Sequence, residues 1–329
     1  MNYFLGIDIG GTKCAVCAVR AGGESILGKR AFPTNSTRGW RAVTDDILDS
    51  ISTLMAQLGI KAEDVLAAGV SCGGPLDSRK GVVMCPPNLP DWDNVPITAM
   101  ITERFGFPAF LQNDANACAL AEWRFGAGKG FNNVIFLTFG TGMGAGLVLD
   151  GRLYAGTNDY AGEVGHMRLA ESGPVGYGKA GSFEGFCSGG GIARFAAEEA
   201  KKLLSDGGTT TLCANAEEAD TITAKSLAIA AENGDAFAVE MYKKVGERLG
   251  QGLAVLVDIL NPERIVIGSI FARSEKLIRP SMEEILKREA LPGAFEKCEV
   301  VPAKLGESIG DYAAVGVAAA GYERMSENE

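Results

Sequence analysis

The 329-residue sequence predicts an α/β protein built as two lobes around a cleft. Three observations lead there. One strand–glycine turn–strand pattern occurs twice, as Gly6-Ile7-Asp8-Ile9-Gly10-Gly11-Thr12-Lys13 and as Thr138-Phe139-Gly140-Thr141-Gly142-Met143-Gly144-Ala145-Gly146. Strand-like and helix-like segments mix along the whole length. The chain is also too long to close over one small core.

Taken in order, Tyr3 to Ile9 and Cys14 to Val19 are the apolar runs that flank the first turn, and Val134 to Phe139 and Ala145 to Leu149 flank the second. A glycine turn carrying Thr gathers backbone N–H groups and a hydroxyl at a tight bend. Glycine permits close approach and positive φ there, so the bend is a nest for phosphate oxygens. Two such hairpins facing each other predict a nucleotide held between related halves. Ile47, Leu48, Ile51, Leu54, Met55 and Leu58 recur at helical spacing, and Gly59 stops the helix. Val65 to Ser71 reads as a strand ending in Gly73-Gly74-Pro75, and the prolines between Pro86 and Trp92 dictate a loop. Asn113-Asp114-Ala115-Asn116 opens a helix through Trp123, its Asx residues suiting the orphan N–H groups of the first turn. The glycine-dense, aperiodic stretch from Asn158 to Gly191 is expected to be a structured loop. Met241, Val245, Leu249, Leu253, Leu256 and Leu260 mark a long helix closed by Asn261-Pro262. Ile265 to Gly268 is a short buried strand, and Asp311 to Tyr322, rich in Ala and Gly, is a tightly packed final helix. Trp40 and Trp123 are expected in the core, Trp92 in the core or a lid.

Bulk properties narrow the function. Hydrophobic residues make up 47% and charged residues 22%, as in ordinary soluble globular proteins. A net charge of −10 without a Lys/Arg run argues against nucleic-acid binding through phosphates, though not against a small anion in a local nest. No apolar run approaches the roughly 18 residues of a membrane helix. The first residues lack a basic region and include Asp8, so they read as a strand and not a signal peptide. The eight scattered cysteines are then expected to be reduced thiols of a cytoplasmic protein. Cys14 and Cys17 have a CxxC spacing, but in a strand residues three apart face opposite sides, which argues against a redox or metal role.

Taken together, the segments resemble the ROK family, sugar kinases and related repressors on the two-lobed actin-like ATPase (ribonuclease H-like) fold. Asp8-Ile9-Gly10-Gly11-Thr12-Lys13 looks like the family's first phosphate loop and Gly140-Thr141-Gly142-Met143-Gly144 like its second. Asn88-Leu89-Pro90-Asp91-Trp92 is similar to its sugar-proximal loop, Asn113-Asp114-Ala115-Asn116-Ala117 to its catalytic segment, and Gly162-Glu163-Val164-Gly165-His166 to its Gly-Glu-x-Gly-His segment. The resemblance covers nearly the whole chain. It implies a smaller lobe of residues 1–118 plus the C-terminal helix 311–329, a larger lobe of residues 119–310, and a homodimer.

Two departures stand out. Family members commonly carry Cys-x-Cys-Gly-x-x-Gly-Cys-x-Glu, whose cysteines join the histidine around a structural zinc. This chain has Val175-Gly176-Tyr177-Gly178-Lys179-Ala180-Gly181-Ser182-Phe183-Glu184. Zinc needs four N, S or O ligands, so no zinc is expected. The loop is expected to be held by packing of Tyr177 and Phe183 and by backbone hydrogen bonds. Gly268-Ser269-Ile270 stands where the family usually runs glycines beside the adenine, which bears on the purine preference.

The resemblance implies transfer of the ATP γ-phosphoryl group to a hexose hydroxyl, with glucose as the default. N-acetylmannosamine, N-acetylglucosamine, allose and fructose stay open as acceptors. Positioning, charge neutralisation and a base are what such chemistry needs. Asp114 is expected as the base, ionised at its helix N-terminus, although the residues alone read it equally as a helix cap. Asp8 is assigned to Mg²⁺, through water. Gly10, Gly11, Thr12, Gly140, Thr141, Gly142 and Gly268 are assigned to the nucleotide. Lys13 either adds charge there or points to solvent. Asn113, Glu163, His166 and Glu184 are candidates to grip sugar hydroxyls, since carboxylates and amides can bond two adjacent hydroxyls. Gly74 and Asn88 line the same pocket or merely pack its loops. A sugar-sensing repressor would carry a helix-turn-helix before the first phosphate loop. Only seven residues precede Asp8, and the charge is acidic, so that reading is disfavoured. A sugar-binding module without catalysis is disfavoured by the intact Asp114 and phosphate loops.

Overall fold

Both repeats fold as strand–turn–strand units, and the two turns fall in different compact units of the chain. A computed structural model describes residues 1–327; residues 328–329, the end of the expected C-terminal segment, lie outside the described residues. The first unit comprises Met1–Asn132, Gly146–Ala161 and Lys304–Glu329, the second Asn133–Ala145 and Gly162–Ala303.

In the first unit, β1 (Tyr3–Ile9), β2 (Lys13–Arg20), β3 (Ile26–Pro33), β4 (Val65–Cys72) and β7 (Ala109–Asn113) form one sheet in the order β3-β2-β1-β4-β7. The β1–β2 and β2–β3 pairs are antiparallel, and β4 and β7 add in parallel. Between β4 and β7 come the short β5 (Leu76–Asp77) and β6 (Val82–Val83) and helix α2 (Ile97–Phe105). Helix α1 (Trp40–Leu58) turns Val43, Ile47, Ile51, Leu54 and Met55 into the core and ends where Gly59 adopts a left-handed conformation. Trp92 is fully buried in this core, whereas Trp40 and Trp123 are half-buried against theirs.

Helix α3 (Asp114–Phe125) follows β7 directly, and α11 (Ile309–Ser326) packs on the sheet. The contact is too close for side chains: a β-carbon on Gly69 of β4 would lie 2.1 Å from the Ala314 carbonyl oxygen and 2.3 Å from the Ala318 nitrogen. This is why α11 reads as Ala and Gly. Gly316 does the same toward Leu120 of α3, so α3 belongs whole to the first unit, whereas the expected boundary after residue 118 runs through it.

The second unit holds β8 (Val134–Phe139), the first three residues of β9 (Met143–Leu149), β13 (Arg264–Ile267) and β14 (Glu299–Pro302). Strands β8, β13 and β14 lie side by side in parallel. The remainder of β9 pairs with β10 (Arg152–Leu153) in the first unit. Helix α8 (Ala236–Leu260) ends on left-handed Asn261 and packs along α9 (Ile270–Glu289). Gly246 and Gly250 admit that contact: a β-carbon on Gly246 would lie 2.5 Å from the Ile278 carbonyl oxygen, and one on Gly250 2.5 Å from that of Met282. Smaller elements complete the unit: a hairpin of β11 (Val175–Gly176) and β12 (Lys179–Ala180), and helices α4 (Phe183–Phe186), α5 (Gly189–Ser205), α6 (Ala216–Ala219), α7 (Ala224–Glu232) and α10 (Pro292–Phe295). The 158–191 stretch is thus ordered by short pieces. No helix among the described residues is long and apolar enough to cross a membrane.

Candidate active site

The first unit brings its site residues together around the first turn. The Gly10 N–H donates to the Lys13 carbonyl at 3.0 Å and closes the bend. Neither Gly10 nor Gly11 has positive φ, contrary to the expectation for the turn. What demands glycine is proximity: a β-carbon on Gly11 would sit 2.7 Å from the Asn88 carbonyl oxygen and 2.8 Å from its β-carbon. The proline-rich loop therefore seats Asn88 against the turn. Gly73 lies near the same Asn88 side chain; Gly74, joined to Pro75 by a cis peptide, has open space around it. Thr12 and Lys13 are exposed at the tip.

Asp8 is the penultimate residue of β1, beside the turn. A β-carbon on Gly310, in the first turn of α11, would be 3.0 Å from its Oδ2, so the carboxylate lies against a helix N-terminus. Burial pushes its pKa up, the neighbouring Asp311 adds to the rise, and Lys13 and Lys29 oppose it. Asp311 is buried and takes a 2.6 Å ion pair from Lys29. The sequence reading passed over Asp311, Lys29 and Gly310. The signal available was an Asp at the head of an otherwise small, apolar helix.

Asn113 caps α3, its side-chain oxygen accepting from the Asn116 N–H at 2.8 Å. That oxygen is thereby engaged, while its Nδ2 reaches the Asp159 carbonyl at 3.5 Å. Asp114 is the next residue and is exposed; its Oδ1 accepts from the Ala115 N–H at 2.8 Å. The sequence predicts that the helix terminus governs its ionisation, but the surroundings act more strongly. Surrounding protein pushes the Asp114 pKa up, and the Ala115 N–H pulls back only in part. A cavity of about 910 Å³ in this unit, beside α3 and α11, is lined by Asp159, Trp123 and Arg124 and by none of the expected site residues.

The second unit assembles the other group. The Gly140 N–H donates to the Gly142 carbonyl at 3.2 Å, and Thr138 Oγ1 accepts from the Gly144 N–H at 2.9 Å. Gly140 and Gly142 also lack positive φ. Glu184 reaches the turn: its Oε2 accepts from the Met143 N–H at 3.1 Å and would lie 3.0 Å from a β-carbon on Gly142. Gly162 and Gly165 fit against β9, where β-carbons would fall 2.1 Å from the Ala145 and 2.3 Å from the Met143 carbonyl oxygens. The single helical turn Val164–His166 then presents exposed Glu163 and half-buried His166 three residues apart.

Two contacts to the second turn were not read from the sequence. The Gly189 N–H donates to the Gly140 carbonyl at 2.7 Å, placing the glycine-rich start of α5 at the turn. The triplet Gly189-Gly190-Gly191 was the available signal. Gly268 is buried beside β8, and Ser269 follows with φ of 50°, its Oγ near Gly140.

The segment in place of the zinc-binding pattern does not fit a zinc ion. Val175 and Tyr177 offer no thiolate, and Ser182 Oγ is taken by the Gly185 N–H at 3.1 Å as the cap of α4. Cys187 is fully buried, with burial pushing its thiol pKa up. Among the described residues no group of three or more His, Cys, Asp or Glu side chains is arranged to hold a metal. Tyr177 does not pack inward as expected: it is 82% exposed and stands in a T-shaped contact with the His166 ring, 5.0 Å between centroids. Phe183 is fully buried against Gly252. The loop is held by the β11–β12 hairpin, by Phe183 N–H to Met167 carbonyl at 2.8 Å, and by Lys179 Nζ donating to the His166 carbonyl at 2.7 Å.

Known proteins share this architecture. Residues 4–320 match the model of the ROK family. The chain is 33% identical to a glucokinase of Thermotoga maritima over 95% of its own length and 96% of that protein. It is similar to the ROK hexokinase of Thermus thermophilus, with a TM-score of 0.81, 28% identity and 99% of each chain covered. A ROK family glucokinase from Streptomyces griseus, solved in complex with glucose and AMPPNP, superposes with a TM-score of 0.70 at 29% identity, covering 97% of this chain and 99% of that one. With motifs, strand order and full-length similarity in agreement, this chain belongs to the ROK family and has its two-domain actin-like ATPase fold.

Proposed function

We propose that this protein is an ATP-dependent hexose kinase, with glucose, converted to glucose 6-phosphate, as its first-choice acceptor. The observation that carries the reading is Asp114, an accessible carboxylate set by the Asn113 cap at the head of α3, in a chain one-third identical to a glucokinase. Its lifted pKa suits a base, because proton transfer is most effective when the base is not far weaker than its task requires.

In this reading Asp114 accepts the proton of the attacking hydroxyl. The exposed N–H and hydroxyl groups at Thr12 and Thr141 bind phosphate oxygens, with Gly10, Gly11, Gly140, Gly142 and Gly268 keeping the backbone bare. Asn113, through Nδ2, and Glu163, His166 and Glu184 orient sugar hydroxyls, with Asn88 and Gly74 shaping the loop beside them. Asp8 is the residue suited to Mg²⁺, which when bound neutralises phosphate charge. A half-buried carboxylate next to a second carboxylate gains from a cation, and this ion keeps most of its waters.

The test is a coupled ADP-release assay with Mg-ATP against glucose, allose, fructose, N-acetylmannosamine and N-acetylglucosamine. Sugar-dependent ADP release with glucose preferred is the expected result; another winner renames the acceptor. Silence across the panel, with sugar binding still seen by calorimetry, replaces the kinase with a sugar-sensing binding protein.

A further inference from the structure

Glu122 lies two turns of α3 beyond Asp114 and is fully buried. A buried carboxylate is costly unless its oxygens are satisfied. Here three backbone N–H groups satisfy them, one just past the end of α3 and two from residues 182 and 183 positions further along the chain. Oε2 accepts from Ala127 at 2.7 Å, and Oε1 accepts from Lys304 at 3.0 Å and Leu305 at 2.8 Å. The Glu122 carbonyl adds bonds from the N–H groups of Gly126 and Gly128, at 3.1 and 2.8 Å.

The placement matters more than the count. Lys304 is the first residue of the segment with which the chain returns to the first unit, and Ala127 stands just before the chain leaves it. Five residues after Leu305 comes Gly310, which abuts Asp8, and then Asp311 with its Lys29 partner. One side chain thus ties the helix that carries Asp114 to the segment that sets the surroundings of Asp8.

We propose that Glu122 is a positioning residue for phosphoryl transfer, a clamp that fixes the start of α11, and with it Asp8, relative to Asp114. The proposal rests on the kinase reading for its kinetic consequence only. Charged acceptors make the strongest backbone bonds, so a neutral amide at this site should release the clamp without emptying the space. In Glu122→Gln one amide N–H would also face a backbone donor.

The experiment uses two variants of the full chain, Glu122→Gln and Gly126→Ala. The second leaves the carboxylate in place but pushes it aside, since a β-carbon on Gly126 would lie 2.0 Å from Glu122 Oε2. Its φ of −117° is negative, and the strain that its ψ of −139° puts on alanine is local to residue 126, so it keeps the test open if the first variant does not fold. Amide hydrogen exchange, turnover and hexose Kd are measured on each. The expected result is faster exchange at Ala127, Lys304 and Leu305 that extends to Tyr312 and Ala313, the first amides of α11 that helical bonding protects. Turnover falls about 10- to 100-fold, as small misplacements of reacting groups do, with hexose Kd unchanged. Lost protection at the three amides with Tyr312 and Ala313 still protected, or with turnover unchanged, overturns the positioning role and leaves a structural one. If the wild-type chain phosphorylates no hexose, the kinase reading fails by itself, and the exchange at Tyr312 and Ala313 alone decides this proposal.

Discussion

The two glycine turns share a sequence pattern but not a chemistry. Aligned, Asp8-Ile9-Gly10-Gly11-Thr12 stands opposite Thr138-Phe139-Gly140-Thr141-Gly142. At the strand end the first turn has a carboxylate that the hairpin does not use, half-buried and set against Gly310. The second has Thr138, whose hydroxyl is spent on the hairpin, accepting from Gly144 N–H and donating to its carbonyl. The carboxylate near the second turn, Glu184, comes from α4 and is bonded to Met143 N–H. Repetition of a backbone nest therefore leaves room for division of labour, the first turn beside the charged groups and the second braced by its neighbours.

The largest effects should come from the charged side of this comparison. Asp114→Asn is expected to lower turnover by about 10²- to 10⁴-fold, the range of a lost general base, with hexose binding retained in calorimetry. Near-normal ADP release would remove Asp114 from that role. The same variant should melt slightly higher at neutral pH. A carboxylate whose folded pKa is raised binds its proton more tightly when folded, so above the unfolded pKa its ionised form weakens the fold, and asparagine removes that penalty. Asp8→Asn should cost about 10²- to 10³-fold in turnover, the scale of one lost electrostatic group at a transition state. An unchanged Mg²⁺ dependence in that variant would break the distinction between the two turns.

The pH profile gives the next effect. If Asp114 must be ionised, kcat falls as pH drops through its pKa. Because that pKa is raised, the loss should begin at higher pH than for an ordinary carboxylate. An acid limb at or below the usual Asp range would contradict the rise that the surrounding protein imposes on Asp114.

Alanine at equivalent glycines should separate the turns sterically. In Gly11→Ala the new carbon meets the Asn88 backbone oxygen at 2.7 Å, which cannot be relieved by a rotamer change, and overpacking of this kind costs about 1–3 kcal/mol. In Gly140→Ala the nearest atom is Ser269 Oγ at 3.7 Å, an ordinary contact. Thermal melts and KM for ATP should therefore move clearly for Gly11→Ala and little for Gly140→Ala. Equal shifts would mean that something other than the Asn88 contact requires Gly11.

This pair also shows what the sequence could reveal. The turns, their flanking strands and the Asn113 cap were legible because each is a local pattern, read within a few residues. The reason for the glycines was misread: positive φ is a local property, whereas the close approach of Asn88 to Gly11 joins residues 77 positions apart. Asp311, Glu122 and Gly189 were passed over for the same cause, since their local signals gain meaning only from Lys29, Lys304 and Gly140, far along the chain. Tyr177 was misplaced because an aromatic side chain was assumed to pack, although its left-handed φ of 44° sits at the tip of a two-residue hairpin turn where the ring faces water.

The smallest predicted effect is the most specific to the comparison. Thr138→Ala removes the hydroxyl that joins β8 to Gly144 but no charge and no phosphate-facing group. The cost should be about 1 kcal/mol of stability, the usual net value of one hydrogen bond. Turnover should change far less than in Asp8→Asn, although the two residues occupy matching positions of the repeat. A melt lowered by that amount with near-normal kcat would show that the second turn spends this position on its own rigidity. A collapse of kcat to the Asp8→Asn level would show instead that the two turns perform the same task.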